Sequence, residues 1–274
     1  PLLIVSDFDG TLAVGSRDPA VARIEPLAQR ALRHLARLQA DRPGRLHLAV
    51  LTGRTVPDVV ARVRVGGIEY LGDHGLQSAR LERRARAGSL EVRTDPAFGG
   101  QHRAAEVLAA GVARRLAGVP WLFVERKGAS VAFHVRQAED VPAARARVIE
   151  AVAAVESEAG LGDHGLEPYR GRSVVDLRPR EAGGKREAVA GLLARTGAGA
   201  VIVLGDELSD VDAFEAVHAA RDAGAPRPVV GITVAVHGVR PAPAELLARA
   251  DLSLGSARAV GRLLADLARR IERA

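Results

Sequence analysis

Cysteine, methionine and asparagine are absent from the 274 residues, and aromatic residues make up only 3% of them. Without cysteine there are no disulfides, thiolate metal sites or cysteine nucleophiles, so any metal must be held by oxygen or imidazole. Few aromatics leave little to stack on bases, which weakens the nucleic-acid reading that a net charge of +6 otherwise invites. The arginines lie scattered among alanine and leucine in stretches such as RALRHLARLQA, GVARRLAG and LARRIERA, and read as solvated helix faces. No apolar run approaches the roughly 18 residues of a membrane helix, and no charged-then-apolar leader is expected before the first strand. A cytoplasmic chain is expected, with no nucleic-acid and no membrane partner. Lysine is scarce too: of the 39 basic residues only Lys127 and Lys185 are lysine. A bias toward arginine explains the scarcity but not the two survivors, which suit positions needing a compact, flexible ammonium.

Hydrophobic residues make up 47% of the chain, enough for a sizeable core. Strand-like runs alternate with helical patterns: LLIVS, IEPLAQRALRHLARLQA, LHLAVLT, VPDVVARVRV and IEYLG, and later KREAVAGLLAR, AVIVLG, DVDAFEAV, VVGITVA and SARAVGRLLADLARRIERA. Such alternation predicts an α/β fold, a Rossmann-like parallel sheet covered on both faces. From about Gly99 the order changes to helix, strand, strand, repeated once (αββαββ), which predicts an inserted α+β domain. The expected boundaries are 1–98 and 180–274 for the core and 99–179 for the insert. The hexapeptide LGDHGL occurs at 71–76 and again at 161–166, but the flanks differ and the repeat reads as coincidence.

Ligands of an open α/β sheet bind beyond the carboxyl ends of its strands. There the sequence places Asp7 and Asp9 after LLIVS, Thr52, Gly53 and Arg54 after LHLAV, His74 and Gly75 after IEYLG, and Asp206, Glu207 and Asp210 after AVIVL. Carboxylates gathered at the rim of an apolar core are costly unless a cation or proton compensates them. Oxygen ligands in a chain without cysteine suit a hard cation such as Mg²⁺. Helix N-capping is an alternative role for Asp206 and Asp210, and for Thr52. In the insert, a hairpin turn at Gly128-Ala129 puts Leu122, Val124, Val131, Phe133 and Val135 on one face. Glu125, Lys127, Ser130, His134 and Arg136 then share the other, an open polar face joined by Asp176.

DFDGTL, Thr52 in LTGR, Lys185 and GDELSD resemble, in order, the four motifs of the haloacid dehalogenase superfamily of phosphohydrolases. ERKGASVAFHVR, YLGDHG, DLRP and GDELSDVDAF resemble blocks of its trehalose-6-phosphate phosphatase family, so the resemblance covers nearly the whole chain. It implies a haloacid dehalogenase core with an inserted cap that closes over it, and a Mg²⁺-dependent phosphatase acting on trehalose 6-phosphate. By this resemblance Asp7 is the nucleophile and Asp9 the general acid and base. The metal is bound by the Asp7 carboxylate, the Asp9 carbonyl and Asp206, with Asp210 close by. Thr52, Gly53 and Lys185 hold the phosphoryl oxygens. Arg54, His74, Gly75, Glu125, Lys127, His134, Arg136, Asp176 and Glu207 contact the substrate. Departures from the family pattern are Glu207, Leu208, Ser209 and Val211 in the fourth block, Asp176 where glutamate is usual and Arg186 where glycine is common. They bear on substrate identity, so a related sugar-phosphate phosphatase, acting on mannosyl-3-phosphoglycerate or sucrose phosphate, is kept as an alternative; a non-catalytic sugar-phosphate-binding protein is a second, which the intact Asp7, Asp9, Lys185 and Asp206 disfavour. The expected partner is a small sugar phosphate; the chain is expected as a monomer, and a synthase partner is left open.

Overall fold

The computed structural model describes residues 1–15, 21–83, 90–169, 171, 173–222, 229–238 and 241–274. The first stretch of chain runs through β1 (Leu2–Ser6), α1 (Pro26–Asp41), β2 (Leu46–Leu51), α2 (Val56–Val63), β3 (Glu69–Gly72), β4 (Gln77–Arg80) and β5 (Arg93–Thr94). The middle runs through α3 (His102–Arg115), β6 (Phe123–Arg126), β7 (Val131–His134), α4 (Val141–Ala159), β8 (Leu166–Tyr169) and β9 (Val174–Pro179). The last holds α5 (Lys185–Thr196), β10 (Ala200–Gly205), α6 (Ser209–Asp222), β11 (Val230–Val236), α7 (Ala244–Arg249), β12 (Leu252–Leu254) and α8 (Ala257–Arg273). Two compact units result, residues 1–93 with 183–274, and residues 94–182. Among the described residues no helix is long and apolar enough to cross a membrane.

In the larger unit the strand order is β12-β11-β10-β1-β2-β3-β4-β5, parallel from β12 through β3. β1 is apolar from Leu2 to Val5 because both its faces are covered. Ile4 packs with α1, α2 and α8, while Leu3 and Val5 pack with α5, α6 and α7. From β1 the chain winds outward through β2 and β3 on one side and, from β10, through β11 and β12 on the other. The carboxyl ends of β1 and β10, in register at Ser6 and Leu204, therefore form the switch point at which open sheets bind ligands.

The sequence pattern marks β1, β2, β3, β10 and β11 but not β4, β5 or β12. β4 is the polar tetrapeptide QSAR, antiparallel to β3, and β12 has three residues with Leu252 exposed. Neither carries the apolar run by which a buried parallel strand is recognised.

The smaller unit is an antiparallel sheet in the order β6-β7-β9-β8, with α3 and α4 packed on Phe133, Val175 and Leu177. Lys127 N donates to Ser130 O (3.1 Å) across Gly128-Ala129, and Gly128 has φ +92°. A positive φ at the first central residue is what a two-residue hairpin of this hand requires. The register pairs Val124 with Phe133, and Glu125 with Ala132 and then Asp176, so apolar and polar positions separate onto opposite faces.

Candidate active site

Asp7 leaves β1 with its amide donating to Leu204 O (2.9 Å), which sets it beside the end of β10. Carboxylate oxygens of Asp7, Asp206 and Asp210 all lie within 4.8 Å of one another. Lys185, the first residue of α5, reaches into this group and donates to Asp7 Oδ1 and to Asp210 Oδ1, each at 2.7 Å. Asp7, Asp210 and Lys185 are all buried. Burial, relieved in part by Lys185 and reinforced by Asp210, pushes the Asp7 carboxyl up to about 8. Burial and the neighbouring Asp7 and Asp210 raise Asp206 in the same direction. Burial opposes the Lys185 charge, but Asp210 and Asp7 outweigh it and raise its pKa. Three ionised carboxylates against one ammonium leave two negative charges in excess, a cluster that seeks protons or a divalent cation.

Gly10, at φ +79°, shapes the turn after β1: a Cβ there would lie 1.9 Å from Asp206 Oδ2. Thr11 donates its hydroxyl to Asp206 Oδ1 (3.2 Å). Asp210 Oδ2 accepts the amides of Asp206 and Glu207, both at 3.0 Å. The capping role and the charged cluster thus coincide in Asp210, while Asp206 is left with an oxygen for a further ligand. Glu207 enters through its backbone amide.

Asp9 faces a different partner. Arg54 grips it with two hydrogen bonds, Nε to Oδ2 at 2.5 Å and Nη2 to Oδ1 at 2.8 Å. The same guanidinium donates to Asp58 Oδ2 (2.6 Å) and lies over the Phe8 ring at 5.6 Å. Burial works against its charge, but Asp9 and Asp58 more than compensate and its pKa is raised. Asp58 is one helical turn on from Arg54 in sequence and is also held by Arg62.

Thr52 is buried and its Oγ1 accepts the Arg54 amide (3.2 Å). The segment Asp73–Gly75 turns back over this loop. Asp73 N donates to Arg54 O (2.7 Å) and His74 N to Thr52 O (2.8 Å), and Gly75 lies against Ala188 of α5. Asp73 (φ 48°) and His74 (φ 57°) are both left-handed, at a cost of about 1–2 kcal/mol each.

In the smaller unit His134 Nε2 and Glu125 Oε2 are 2.8 Å apart, and Lys127 Nζ donates to Asp176 Oδ2 at 3.1 Å. Burial alone would raise Glu125, but the His134 hydrogen bond and Lys127 bring it below its ordinary value. Arg136 is half-buried just beyond β7. The open face expected from the sequence needs correction, because Lys127, Asp176 and Arg178 are 5%, 2% and 2% exposed. A paired ammonium and carboxylate offset each other's loss of water, so burial is tolerated.

Sequence reasoning missed four contributors. Thr11 lies inside DFDGTL; Asp58 is four residues from Arg54; Arg178 follows Asp176 at strand spacing, which puts both on one face; and Tyr169 pairs with Asp176 and carries the Arg178 guanidinium over its ring at 4.5 Å.

The model of the trehalose-phosphatase family matches residues 5–239. A trehalose-phosphate phosphatase of Mycobacterium avium is 39% identical over 228 residues, 80% of this chain and 52% of the relative. One of Mycobacterium tuberculosis is 33% identical over 216 residues, 77% of this chain and 50% of the relative. The chain thus spans about half the length of the curated relatives it matches. Among solved structures, the C-terminal domain of Candida albicans trehalose-6-phosphate phosphatase superposes with a TM-score of 0.72 at 19% identity, covering 97% of this chain and 91% of that one. A haloacid dehalogenase-like hydrolase from Bacteroides thetaiotaomicron gives 0.58 at 16% identity, covering 99% and 98%. These two likenesses speak for the fold.

Proposed function

The chain belongs to the trehalose-phosphatase family, and on that premise we propose that it hydrolyses trehalose 6-phosphate to trehalose and phosphate through an aspartyl-phosphate on Asp7. The observation that carries the reading is Asp7 itself, a buried carboxylate at the sheet's switch point with Oδ1 pinned by Lys185 and two partner carboxylates beside it. Lys185 leaves the second oxygen of Asp7 to attack phosphorus. As the Asp7–phosphorus bond forms and the phosphorus–sugar-oxygen bond breaks, Asp9 gives its proton to the sugar oxygen. Asp9 then takes a proton from the water that attacks the aspartyl-phosphate, releasing phosphate and restoring Asp7. For this Arg54 must loosen its grip on Asp9, and its guanidinium is the natural partner for the incoming anion. Thr52, the Gly53 amide and Lys185 hold the phosphoryl oxygens.

The cluster of Asp7, Asp206 and Asp210 fits Mg²⁺: its donors are all oxygen, and its excess of two negative charges matches a divalent cation. Asp7 and Asp206, with the Asp9 carbonyl, would hold the ion, and Asp210 would brace the loop that carries Asp206. When bound, Mg²⁺ neutralises charge that otherwise keeps an anionic nucleophile from an anionic phosphate. In the cap, residues 94–182, Glu125, His134 and Arg136 read the sugar hydroxyls, and Lys127 and Asp176 join them once their buried pair opens to the substrate. Glu207 and Gly75 are further substrate contacts from the core.

Phosphate release from trehalose 6-phosphate should require Mg²⁺, stop with EDTA and return with excess Mg²⁺. Release undiminished by EDTA would remove the metal from the reading. Hydrolysis of mannosyl-3-phosphoglycerate or sucrose phosphate in preference to trehalose 6-phosphate would replace the substrate.

Sugar recognition by the cap has its own test. Removing a charged hydrogen bond costs about 1.5–3 kcal/mol, so Lys127→Ala should raise KM for trehalose 6-phosphate by about ten- to a hundredfold. KM for p-nitrophenyl phosphate, which has no sugar, should barely move. Equal losses on both esters would take Lys127 out of sugar reading.

A further inference from the structure

The hexapeptide LGDHGL serves as its own control. At 161–166 the aspartate and histidine keep ordinary backbone, and the positive φ values fall on Gly162 (58°) and Gly165 (70°). There Asp163 Oδ1 accepts the Gly165 amide (3.1 Å) and His164 Nδ1 the Leu166 amide (3.1 Å), while Asp163 also pairs with Arg180 (3.1 Å) and His164 with Glu156 (2.9 Å). At 71–76 the same residues place Asp73 and His74 in the left-handed region, while Gly72 stays extended at φ −99°. The local sequence is identical, so its surroundings impose the unfavourable conformation at 73–74.

Those surroundings are the loop after β2. With Asp73 and His74 left-handed, two successive amides point at Arg54 O (2.7 Å) and Thr52 O (2.8 Å), and Thr52 N donates back to Leu71 O (2.9 Å). The His74 side chain is buried against Gly53 so closely that a Cβ at Gly53 would lie 2.7 Å from Nε2. On the far side Gly75 touches Ala188, one turn along α5 from Lys185. One short segment thus touches the Thr52–Gly53 loop and the helix that carries Lys185.

We infer that His74 is a positioning residue for phosphoryl transfer: its imidazole and its left-handed backbone hold the Thr52–Gly53 loop so that the Gly53 amide meets a phosphoryl oxygen. The inference rests on the proposed phosphatase reaction and concerns its phosphate half. The resemblance implied only that His74 contacts the substrate; contact with the sugar and positioning of the phosphate loop give different kinetics. Were His74 a sugar ligand, its removal would raise KM for the sugar ester alone. A displaced phosphate loop slows every phosphate ester, because misplacing a reacting group by about 1 Å can cost about a hundredfold.

The test compares His74→Asn, which tolerates left-handed backbone but lacks the ring, with His74→Gly, which keeps only the backbone. Both are assayed on trehalose 6-phosphate and on p-nitrophenyl phosphate. Binding of orthovanadate in the presence of Mg²⁺, followed by calorimetry, provides a readout that needs no turnover. The expected result is a fall in kcat of about ten- to a hundredfold on both esters, orthovanadate affinity weaker by about tenfold, and an unchanged ratio of the two KM values. Adding Gly53→Ala should cost much less in the His74→Gly background than in the wild type, because the ring that the new Cβ meets is gone. A KM effect confined to trehalose 6-phosphate, or orthovanadate binding equal to that of the wild type, would overturn the inference. Wild-type protein that hydrolyses p-nitrophenyl phosphate but not trehalose 6-phosphate would sink the proposed substrate and leave this comparison readable on the aryl ester and on orthovanadate.

Discussion

Asp7→Asn is expected to lower turnover of every phosphate ester by about 10⁴-fold or more, the scale on which removal of an enzyme's nucleophile is felt. The amide has nearly the shape of the carboxylate and still offers an oxygen to Lys185 at the position that now accepts at 2.7 Å. It lacks the charge to attack phosphorus. The fold should survive and gain slightly in the absence of metal, because Asp7 stands among like charges in a buried place that penalises its ionised form. That penalty grows as pH rises from the ordinary carboxylate range toward about 8. An amide at this position has no such penalty, so the melting temperature of the variant should exceed that of the wild type by a margin that widens from the ordinary carboxylate range up to about pH 8. Acid quenching during turnover should trap phosphate on the wild type and none on the variant. Activity within tenfold of the wild type would move the nucleophile elsewhere.

Lys185 stood out by the scarcity of lysine and by its motif, whereas Asp7, Asp9, Thr52, Asp206 and Asp210 stood out in the sequence for one physical reason. Each lies at or near an element end beside a long apolar run, where a polar group is conspicuous and costly. The alternating strands and helices gave the parallel sheet by the same signal, and β4 and β12 escaped it because both are short and neither carries an apolar run: β4 is the polar QSAR and β12 has only three residues. Partnerships were less legible than positions. Nothing in DFDGTL and LTGR says that Arg54 divides itself between Asp9 and Asp58, since those contacts depend on how β1 and α2 meet. Strain was illegible altogether, as the two copies of LGDHGL demonstrate: the same letters are relaxed in one setting and left-handed in the other.

Lys185 and Lys127, the only lysines, each lie almost wholly buried against carboxylates. A guanidinium is planar and broad, whereas an ammonium is compact and can donate in several directions. Lys185 uses that freedom to touch Asp7 and Asp210 at 2.7 Å each from a site 2% exposed. Breaking a buried pair strands its partners, at a cost of about 3–5 kcal/mol. Lys185→Met, similar in length and uncharged, should therefore lose about that much stability and about 10³-fold or more in turnover. The excess charge of the cluster rises from two to three, so Mg²⁺ should raise the melting temperature of Lys185→Met by more than it raises that of the wild type. Lys185→Arg keeps the charge but not the shape, and should restore part of the stability with little of the activity. Thermal unfolding with and without Mg²⁺, run beside phosphate release, distinguishes these outcomes. Were Lys185→Met as stable as the wild type and stabilised no more by Mg²⁺, the carboxylates would not be charged neighbours of one another, and the electrostatic basis of the proposed metal site would fall with them.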